Sequence, residues 1–379
     1  MTVTAFSPLF YAESSHNSDL RYFGRILVGD PFIAFAAGKK KIGVFSSLEI
    51  DRAKKESTFT DVLSHNDWLA KAKATFPKRK VGPAEVIALL GKHYGIKRFS
   101  VADDFPTGLF LQLNELGVKI EVVNGMIFPE REIKTPKEAA AIREGNKCSA
   151  LGIAAGERAL RQSKIKAGKL YYRGEILTSE RLKVIIETAC LEAGATSIDT
   201  IAAGGDQACD PHCRGTGPLR ANELIILDVF PRVVSHGYFG DMTRTFLKGT
   251  ASDAQRNLVA AVRAAQLVAL SHIRAGVAGS AVHVEVVSSL KKDGFETTQT
   301  KKGWRGFFHG TGHGVGLAIH EAPRLSPTSD AVLKKGTVVT VEPGLYYSGL
   351  GGCRIEDVVQ VTAAKPRLLS SYHYNWEIR

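Results

Sequence analysis

The segment 308–324, which reads FHGTGHGVGLAIHEAPR, has the most evident capacity for chemistry in this chain. It contains His309, His313 and His320, three of the 11 histidines of the protein. Glycines separate these histidines, and glycine lets the backbone approach other groups closely. Imidazoles spaced in this way are typical of a functional site. From this segment alone, a glycine-rich loop with scattered surface histidines is the alternative.

Acidic residues inside strongly apolar segments accompany the histidines. There are four of them: Asp228, Asp241, Glu342 and Glu356. A buried carboxylate without a partner is costly, and four together would also repel one another. Cations are therefore expected to offset them, and two divalent ions would balance four negative charges. The alternative is that arginines neutralise the acids, and Arg244 and Arg354 are close enough in sequence to contribute.

Carboxylates combined with one imidazole, which His313 could supply, suit Mn²⁺, Co²⁺, Fe²⁺ or Zn²⁺. Two such ions about 3.5–4 Å apart would hold a bridging hydroxide and stabilise a tetrahedral oxyanion. The chemistry predicted from these residues is hydrolysis of a carbonyl compound. Histidines that are not ligands would then act on the transition state. His212, in CDPHCRGTG, is a candidate, with an ordinary loop histidine as the alternative.

The acids lie in segments whose apolar runs predict β-strands. Four such segments carry them: ELIILDVF, GDMTRTFLKG, TVVTVEPGLYY and RIEDVVQVT. The first two are expected to form an antiparallel hairpin with Pro231 and Gly237 in its connection. The third is expected to break at Pro343.

Capping patterns predict the helices of the same region. Thr135 and Glu138 form a capping box at the start of a helix that runs past Arg158. Three further helices are predicted: from near Thr178 to before Gly194, from Ser252 to Gly276, and from Ser280 to about Lys292. His272 and His283 lie in the last two and are expected at the surface. The repeated order of helices followed by a hairpin suggests internal pseudo-symmetry.

The sequence pattern of residues 1–128 predicts a small α/β unit. It contains no phosphate-loop motif and no dense cluster of polar residues. PFIAFAAG and KIGVFSS suggest a hairpin through Gly38, and LEIDRAKKES suggests a helix. RFSVADD and VKIEVVNG suggest strands on either side of the helical segment TGLFLQLNEL. The unit is interpreted as a scaffold or interface domain, joined to the rest by a charged linker, Pro129 to Lys134.

Composition narrows the class of protein. The 379 residues are 44% hydrophobic and 23% charged, which is ordinary for a globular protein. No apolar run approaches the roughly 20 residues that span a bilayer, and the first residues do not resemble a secretion signal. Five cysteines without a CxxC pair fit a reducing cytoplasm, so a cytoplasmic location without membrane association is expected. The net charge of +12 is spread along the chain, which favours a solvated basic surface over a nucleic-acid site.

Together these motifs resemble the pita-bread metallopeptidases, and most closely the Xaa-Pro dipeptidases (prolidases) and Xaa-Pro aminopeptidases. The resemblance is carried by His212, Asp228, GDMTRTF, HGTGHGVGLAIHEAPR, VEPG and RIED. It is strong over about residues 130–379 and weaker over residues 1–128. It implies an α+β protein with two domains. Residues 129–379 would form a pita-bread catalytic domain, a curved and mostly antiparallel sheet covered by helices. Residues 1–128 would form a creatinase-like α/β domain.

The resemblance also implies a set of metal ligands. Asp228 and Asp241 would hold one metal ion, and His313 and Glu342 would hold the other. Asp241 and Glu356 would bridge the two ions. Glu342 would in addition act as the general base on the bridging water. Mn²⁺ or Co²⁺ is the expected metal, with Zn²⁺ or Fe²⁺ as alternatives.

Further roles follow from the same resemblance. His212 and His320 would stabilise the oxyanion or pass a proton to the leaving nitrogen. His309 would line the substrate pocket, and Arg324 would receive a substrate carboxylate by bidentate hydrogen bonding, a surface position being its alternative. Two residues would orient the acids: Thr243 and Arg354.

The implied function is a dinuclear metallopeptidase, expected as a homodimer. It would hydrolyse the Xaa-Pro bond of dipeptides or at the N-terminus of peptides through a metal-bridging hydroxide. Methionine aminopeptidase is one alternative, disfavoured by the N-terminal domain and by HEAPR. A non-catalytic pita-bread module that binds protein or nucleic acid is another, disfavoured because all five ligands remain. The loop between Asp228 and Asp241 is longer than in most relatives. Its His236 is expected to be exposed, with an approach to the substrate as the alternative. The added length would matter at the pocket rim or at a subunit contact.

Overall fold

The computed structural model describes residues 7–301 and 303–379. The chain divides into two compact units, Met1–Arg131 and Glu132–Arg379, close to the division predicted after residue 128. The assignment of the first unit as creatinase-like stays a prediction.

The N-terminal unit is a mixed sheet with helices. Its strands are β1 (Ser7–Ala12), β2 (Phe32–Ala37), β3 (Lys40–Phe45), β4 (Asp61–Ser64), β5 (Phe99–Ala102) and β6 (Ile120–Val123), in the sheet order β4-β3-β2-β1-β5-β6. Its helices are α1 (Ser18–Gly24), α2 (Ile50–Glu56), α3 (His65–Thr75), α4 (Pro83–His93) and α5 (Thr107–Glu115). The predicted hairpin is present as β2–β3, which pair antiparallel around Gly38, while β5 and β6 pair in parallel on either side of α5 in the chain.

Two pairs of helices follow in the C-terminal unit. They are α6 (Pro136–Gln162), α7 (Ser179–Glu192), α8 (Asp253–His272) and α9 (Gly279–Lys292). The capping box of α6 is formed as predicted, since the Glu138 N–H donates to Thr135 Oγ1 and the Thr135 N–H donates to Glu138 Oε2. Helix α8 ends four residues before the predicted Gly276. There the Ala275 and Gly276 N–H groups donate to Thr362 and Leu333 carbonyls instead of continuing the helix.

The strands of this unit are short. They are β7 (Lys164–Lys166), β8 (Lys169–Tyr172), β9 (Glu175–Ile176), β10 (Ala195–Thr196), β11 (Ile201–Gly204), β12 (Leu224–Val229), β13 (Arg232–Val233), β14 (Met242–Lys248), β15 (Thr298–Thr300), β16 (Gly303–Arg305), β17 (Gly312–Gly314), β18 (Glu321–Leu325), β19 (Val338–Val341), β20 (Gly344–Tyr347), β21 (Gly351–Arg354), β22 (Asp357–Gln360), β23 (Arg367–Leu368) and β24 (Glu377–Ile378). Two sheets dominate, with orders β11-β12-β14-β24 and β18-β17-β19-β22-β23. Most of their strand pairs are antiparallel.

Each of these sheets packs against one helix pair. Buried side chains of α6 and α7, such as Ile153 and Ile186, share an apolar cluster with Leu227 of β12. Buried side chains of α8 and α9, such as Val262 and Val286, share another that includes β19 and β22. The mixture of helices and mostly antiparallel sheets confirms the α+β prediction, and the repeated helix-pair and sheet order is the one suggested by the sequence.

Two sequence predictions need correction here. RIEDVVQVT is not one strand, because Arg354 ends β21, which pairs with β20, whereas β22 starts at Asp357 and pairs with β19. His283 is not at the surface. It is buried, its Nδ1 lies 3.0 Å from Thr311 Oγ1, and its ring contacts Phe307. Within the two described ranges, no helix is both long enough and apolar enough to cross a bilayer.

Candidate metal centre

A cavity of about 990 Å³ lies in the C-terminal unit, and the predicted site residues meet at its wall. Ten of them line it: His212, Asp228, Asp241, His309, His313, His320, Arg324, Glu342, Arg354 and Glu356. Thr243 is not a lining residue and lies behind the acids. The chemistry-bearing side chains therefore converge on one site although they are spread along the C-terminal unit.

Backbone pairing places the two aspartates. Antiparallel pairing of β12 with β14 sets Asp228 opposite Thr243 and Val229 opposite Met242, so Asp241 lies just before β14 on the facing strand. The Asp241 N–H donates to Asn146 Oδ1 of α6 at 3.1 Å. Helix α6 can approach this closely only because Gly145 meets Gly240 there, where a Cβ on Gly240 would lie 2.1 Å from a Gly145 backbone atom.

The imidazole of His313 is oriented by its backbone. Its Nδ1 lies 3.1 Å from the Gly314 carbonyl, which can only accept, so Nδ1 carries the proton. Its Nε2 therefore faces the acids, 3.2 Å from Glu342 Oε1 and 3.7 Å from Asp241 Oδ2. Potential ligand atoms of Asp241, His313 and Glu356 all lie within 4.8 Å of one another, and all three residues are buried.

Hydroxyl groups position the two glutamates. Thr243 Oγ1 donates to Glu356 Oε2 at 2.7 Å, the contact expected of a residue that orients an acid. Thr340 Oγ1 donates to Glu342 Oε1 at 3.1 Å and itself accepts the His313 N–H at 3.0 Å. Glu342 follows β19, just before the break at Pro343, so its side chain leaves the regular sheet at the cavity.

Arginines neutralise only part of the acidic cluster. Arg354 Nη2 donates to Asp228 Oδ2 at 2.7 Å, and Arg354 Nε lies 3.3 Å from Thr243 Oγ1. Arg244 points away from the cavity and pairs with Asp357 at 3.0 Å. Asp228 Oδ1 is buried and has no hydrogen-bond partner among the described residues.

The electrostatics of the cluster favour a bound cation. Burial, followed by repulsion from Asp228, raises the pKa of Asp241 well above its usual value, and burial and Asp241 do the same for Glu356. Burial opposes ionisation of Glu342 and of His313. Their mutual hydrogen bond and attraction nevertheless lower the pKa of Glu342 to about 2 and raise that of His313. An unpartnered buried oxygen, crowded carboxylates and one imidazole form a donor set that fits divalent cations.

His309 lines the cavity, but both of its ring nitrogens are engaged. Nδ1 lies 2.8 Å from the Gly310 carbonyl and must be the donor, so Nε2 accepts from the Tyr346 hydroxyl at 2.8 Å. That hydroxyl accepts from Arg354 Nη1 at 3.0 Å. Burial lowers the pKa of His309 to about 4, which keeps the ring neutral. His309 can therefore offer substrate its ring face, and Tyr346 links it to Arg354.

The remaining predicted residues are more accessible. His212, His320 and Arg324 are exposed along the cavity wall. The His320 ring meets His313 edge-on, with centroids 4.4 Å apart, and desolvation followed by repulsion from His313 lowers its pKa to about 4. His236 is partly buried rather than exposed, with Nε2 3.5 Å from Glu144, and it does not line the cavity.

Residues 140–363 match the model of metallopeptidase family M24. The chain belongs to this family. An Xaa-Pro dipeptidase from Pyrococcus furiosus is 34% identical over 167 residues, which cover 44% of this chain and 45% of that protein. The sequence match spans about half the length of the first curated relatives.

Solved structures extend the likeness in fold to nearly the whole chain. An Xaa-Pro dipeptidase from Bacillus anthracis has a TM-score of 0.82 at 24% identity, covering 98% of this chain and 95% of that one. An X-Pro aminopeptidase from Thermotoga maritima has a TM-score of 0.79 at 22% identity, covering 99% and 97%. The predicted membership of the pita-bread metallopeptidases is confirmed, and so is the fold class.

Several residues of this M24 site escape sequence reasoning. Tyr346, Thr340 and Asn146 reach the site from β20, β19 and α6, and each makes a hydrogen bond to a site residue that is distant along the chain: His309, His313 and Asp241, respectively. Phe230, which follows β12, lines the cavity.

Proposed function

We propose that this M24 protein is a dinuclear metal-dependent peptidase that hydrolyses the Xaa-Pro bond of dipeptides or at the N-terminus of peptides. The observation that supports it most directly is the buried acidic cluster around His313, in which Asp228 Oδ1 is left without a partner among the described residues. Buried acids persist only when something positive offsets them. Arg354 alone does not balance the cluster.

The proposed ligands are those implied by the family resemblance. Asp228 and Asp241 would hold one divalent ion and His313 and Glu342 the other, with Asp241 and Glu356 shared. Mn²⁺ or Co²⁺ is the proposed metal. When bound, the two ions would acidify a shared water and polarise the scissile carbonyl.

The protein's own groups would handle the proton and the substrate. Glu342 would accept the proton of the attacking water, since its carboxylate is ionised and borders the cavity. His212 and His320, exposed on the wall, would stabilise the oxyanion or pass a proton to the leaving nitrogen. His309 and Phe230 would exclude water from the pocket.

The substrate class is proposed from the named relatives together with Arg324. Relatives carry the names Xaa-Pro dipeptidase and X-Pro aminopeptidase. Arg324 is exposed at the cavity, where its guanidinium could bind the free carboxylate of a dipeptide through two hydrogen bonds. A homodimer is also proposed from the resemblance, and sedimentation of the purified chain would measure it.

A substrate panel tests the proposal. Xaa-Pro dipeptides, Xaa-Pro tripeptides and Met-Ala peptides would be assayed with Mn²⁺, Co²⁺ and Zn²⁺, with Asp241→Asn as the ligand-deficient control. We expect hydrolysis of Xaa-Pro peptides that requires metal and is lost in the control variant. Preferential cleavage of Met-Ala would favour methionine aminopeptidase. Purified protein without transition metal and without activation by Mn²⁺ or Co²⁺ would favour a non-catalytic binding module.

Metal should stabilise the fold more strongly as pH rises. The raised pKa values of Asp241 and Glu356 mean that the metal-free fold holds more protons than the unfolded chain above their ordinary values of 3.8 and 4.5. Metal-free stability therefore falls as pH rises through that window. Bound metal would displace those protons from the carboxylates, so the metal-loaded fold would not lose this stability as pH rises.

The difference in Tm between Mn²⁺-loaded and chelated protein should therefore grow between about pH 5 and about pH 8. The measurement is a pair of thermal melts at each pH, with Asp241→Asn as a control whose difference should be much smaller. A difference that shrinks with rising pH would contradict the proposed ligand set.

A further inference from the structure

The segment that carries His320 has no regular secondary structure of its own. Residues 315–320 connect β17 to β18, and His320 is exposed to the cavity at the end of this connection. A histidine that acts on a transition state must be held in place to well under 1 Å, because misplacement of that size is costly to rate. Something outside the connection must therefore fix its shape.

Glu321, the next residue, folds back under the connection. Its Oε1 accepts the Ala318 N–H at 3.0 Å, and its Oε2 accepts from Lys134 Nζ at 2.9 Å. The carboxylate occupies the space beside Gly316, where an added Cβ would lie 2.6 Å from Glu321 Oε2. Glu321 thus fills the inside of the turn that presents His320.

Lys134 is anchored from the other side. Its N–H donates to the Gly336 carbonyl at 3.0 Å, and it directly precedes Thr135, the N-cap of α6. The Lys134 and Glu321 side chains are each only 2% exposed. Removal of one partner from a buried ion pair strongly destabilises the folded protein, because the remaining charge is buried without compensation.

We propose that Lys134 and Glu321 form a positioning pair that sets the His320 imidazole against His313 for the peptidase reaction. The expected change in kcat rests on the proposed function, whereas the expected effect on the position of the His320 ring does not. Neither residue lines the cavity, so neither contacts substrate. Their effect is transmitted through the backbone, since His320 is bonded directly to Glu321. Helix α6 thereby supports two parts of the site, with Lys134 before its first turn and Asn146 holding Asp241.

The test uses the full metal-loaded chain and an Xaa-Pro dipeptide. Glu321→Gln keeps an oxygen for the Ala318 N–H but removes the carboxylate that pairs with Lys134, and Lys134→Met removes the ammonium group that pairs with Glu321. Each should lower kcat by about 10- to 100-fold with little change in KM. The Lys334–Glu132 pair, 3.6 Å apart and with an exposed lysine, is the control. Lys334→Met should change kcat by less than about twofold.

A double-variant cycle with His320 separates positioning from general destabilisation. In a His320→Ala background, Glu321→Gln should cause no further loss of kcat, because its effect passes through the missing ring. Additive losses would overturn the proposal. If a single variant fails to fold, Lys134→Met/Glu321→Gln, which leaves neither charge unpaired, takes its place in the same cycle.

A spectroscopic readout keeps the inference separate from the peptidase assignment. In Zn²⁺-loaded protein with ¹³Cε1-labelled histidine, the His320 signal is identified by its absence in His320→Ala. It should shift or broaden in Glu321→Gln and stay unchanged in Lys334→Met. If that pattern appears in a wild-type protein that cleaves no peptide, the proposed function fails and the positioning role stands. An unmoved His320 signal with unchanged kcat would overturn the positioning role.

Discussion

Replacement of Glu342 by glutamine is expected to lower kcat by about 10²- to 10⁴-fold while metal remains bound. The amide keeps the shape of the side chain and one oxygen ligand, and that oxygen can still accept from Thr340 Oγ1, now 3.1 Å away. It cannot accept a proton from the attacking water. The loss should therefore appear in turnover, with metal content and KM changed much less.

Glu342 is ionised in the metal-free site. Burial would raise its pKa, but the hydrogen bond from His313, 3.2 Å away, outweighs burial and lowers the pKa to about 2. A carboxylate with so low a pKa is a weak base. In the proposed loaded site His313 would use Nε2 as a ligand, so the hydrogen bond that lowers the pKa of Glu342 in the metal-free site would be absent.

The measurements for this variant are steady-state kinetics and metal content by elemental analysis. Glu285→Gln is the matched control, since Glu285 is exposed on α9 and remote from the cavity lining. It should leave both quantities unchanged. Undiminished turnover in Glu342→Gln at full metal content would remove Glu342 from proton transfer. Loss of metal in that variant would reduce its role to that of a ligand.

The acidic centre could be predicted from the sequence because its pattern is local and energetically costly. Asp228 lies among isoleucine, leucine and valine in a strand that is buried throughout. A carboxylate in such a strand needs a compensating charge, whatever the tertiary structure. The hairpin was predictable for the same reason, since two apolar runs joined by Pro and Gly pair antiparallel, which sets Asp228 opposite Thr243.

The supporting contacts could not be predicted, because each joins residues whose proximity depends on the whole fold. The Lys134–Glu321 pair spans 187 residues, and the Asn146–Asp241 hydrogen bond spans 95. The break at Glu356 was missed because apolar alternation continues through it. The segment is interrupted because its first part, β21, pairs with β20, whereas its second part, β22, pairs with β19. The choice of pairing strand is not encoded in the local sequence pattern.

Replacement of Arg354 by methionine should have the largest effect on stability. Arg354 donates to Asp228 at 2.7 Å and to the Tyr346 hydroxyl at 3.0 Å, and it is 4% exposed. Without it, the Asp228 carboxylate is buried with no arginine partner, and the Tyr346 hydroxyl, which is hydrogen-bonded to His309, loses its donor from Arg354. The free energy of unfolding of chelated protein should fall by about 3–5 kcal/mol.

The loss of unfolding free energy in Arg354→Met should depend on whether metal is bound. This dependence distinguishes an arginine with a purely structural role from one that neutralises a metal ligand. If Asp228 is a ligand, a bound cation offsets part of its charge, so Arg354→Met should lose less stability in Mn²⁺ than in chelator. Arg354→Lys should be intermediate, because an ammonium keeps the charge but cannot replace the guanidinium at several acceptors. Denaturant unfolding with and without Mn²⁺ measures this, with Arg158→Met on the exposed face of α6 as the control. Equal losses in both conditions would mean that Asp228 does not ligate metal, and the proposed dinuclear centre would lose one of its five ligands.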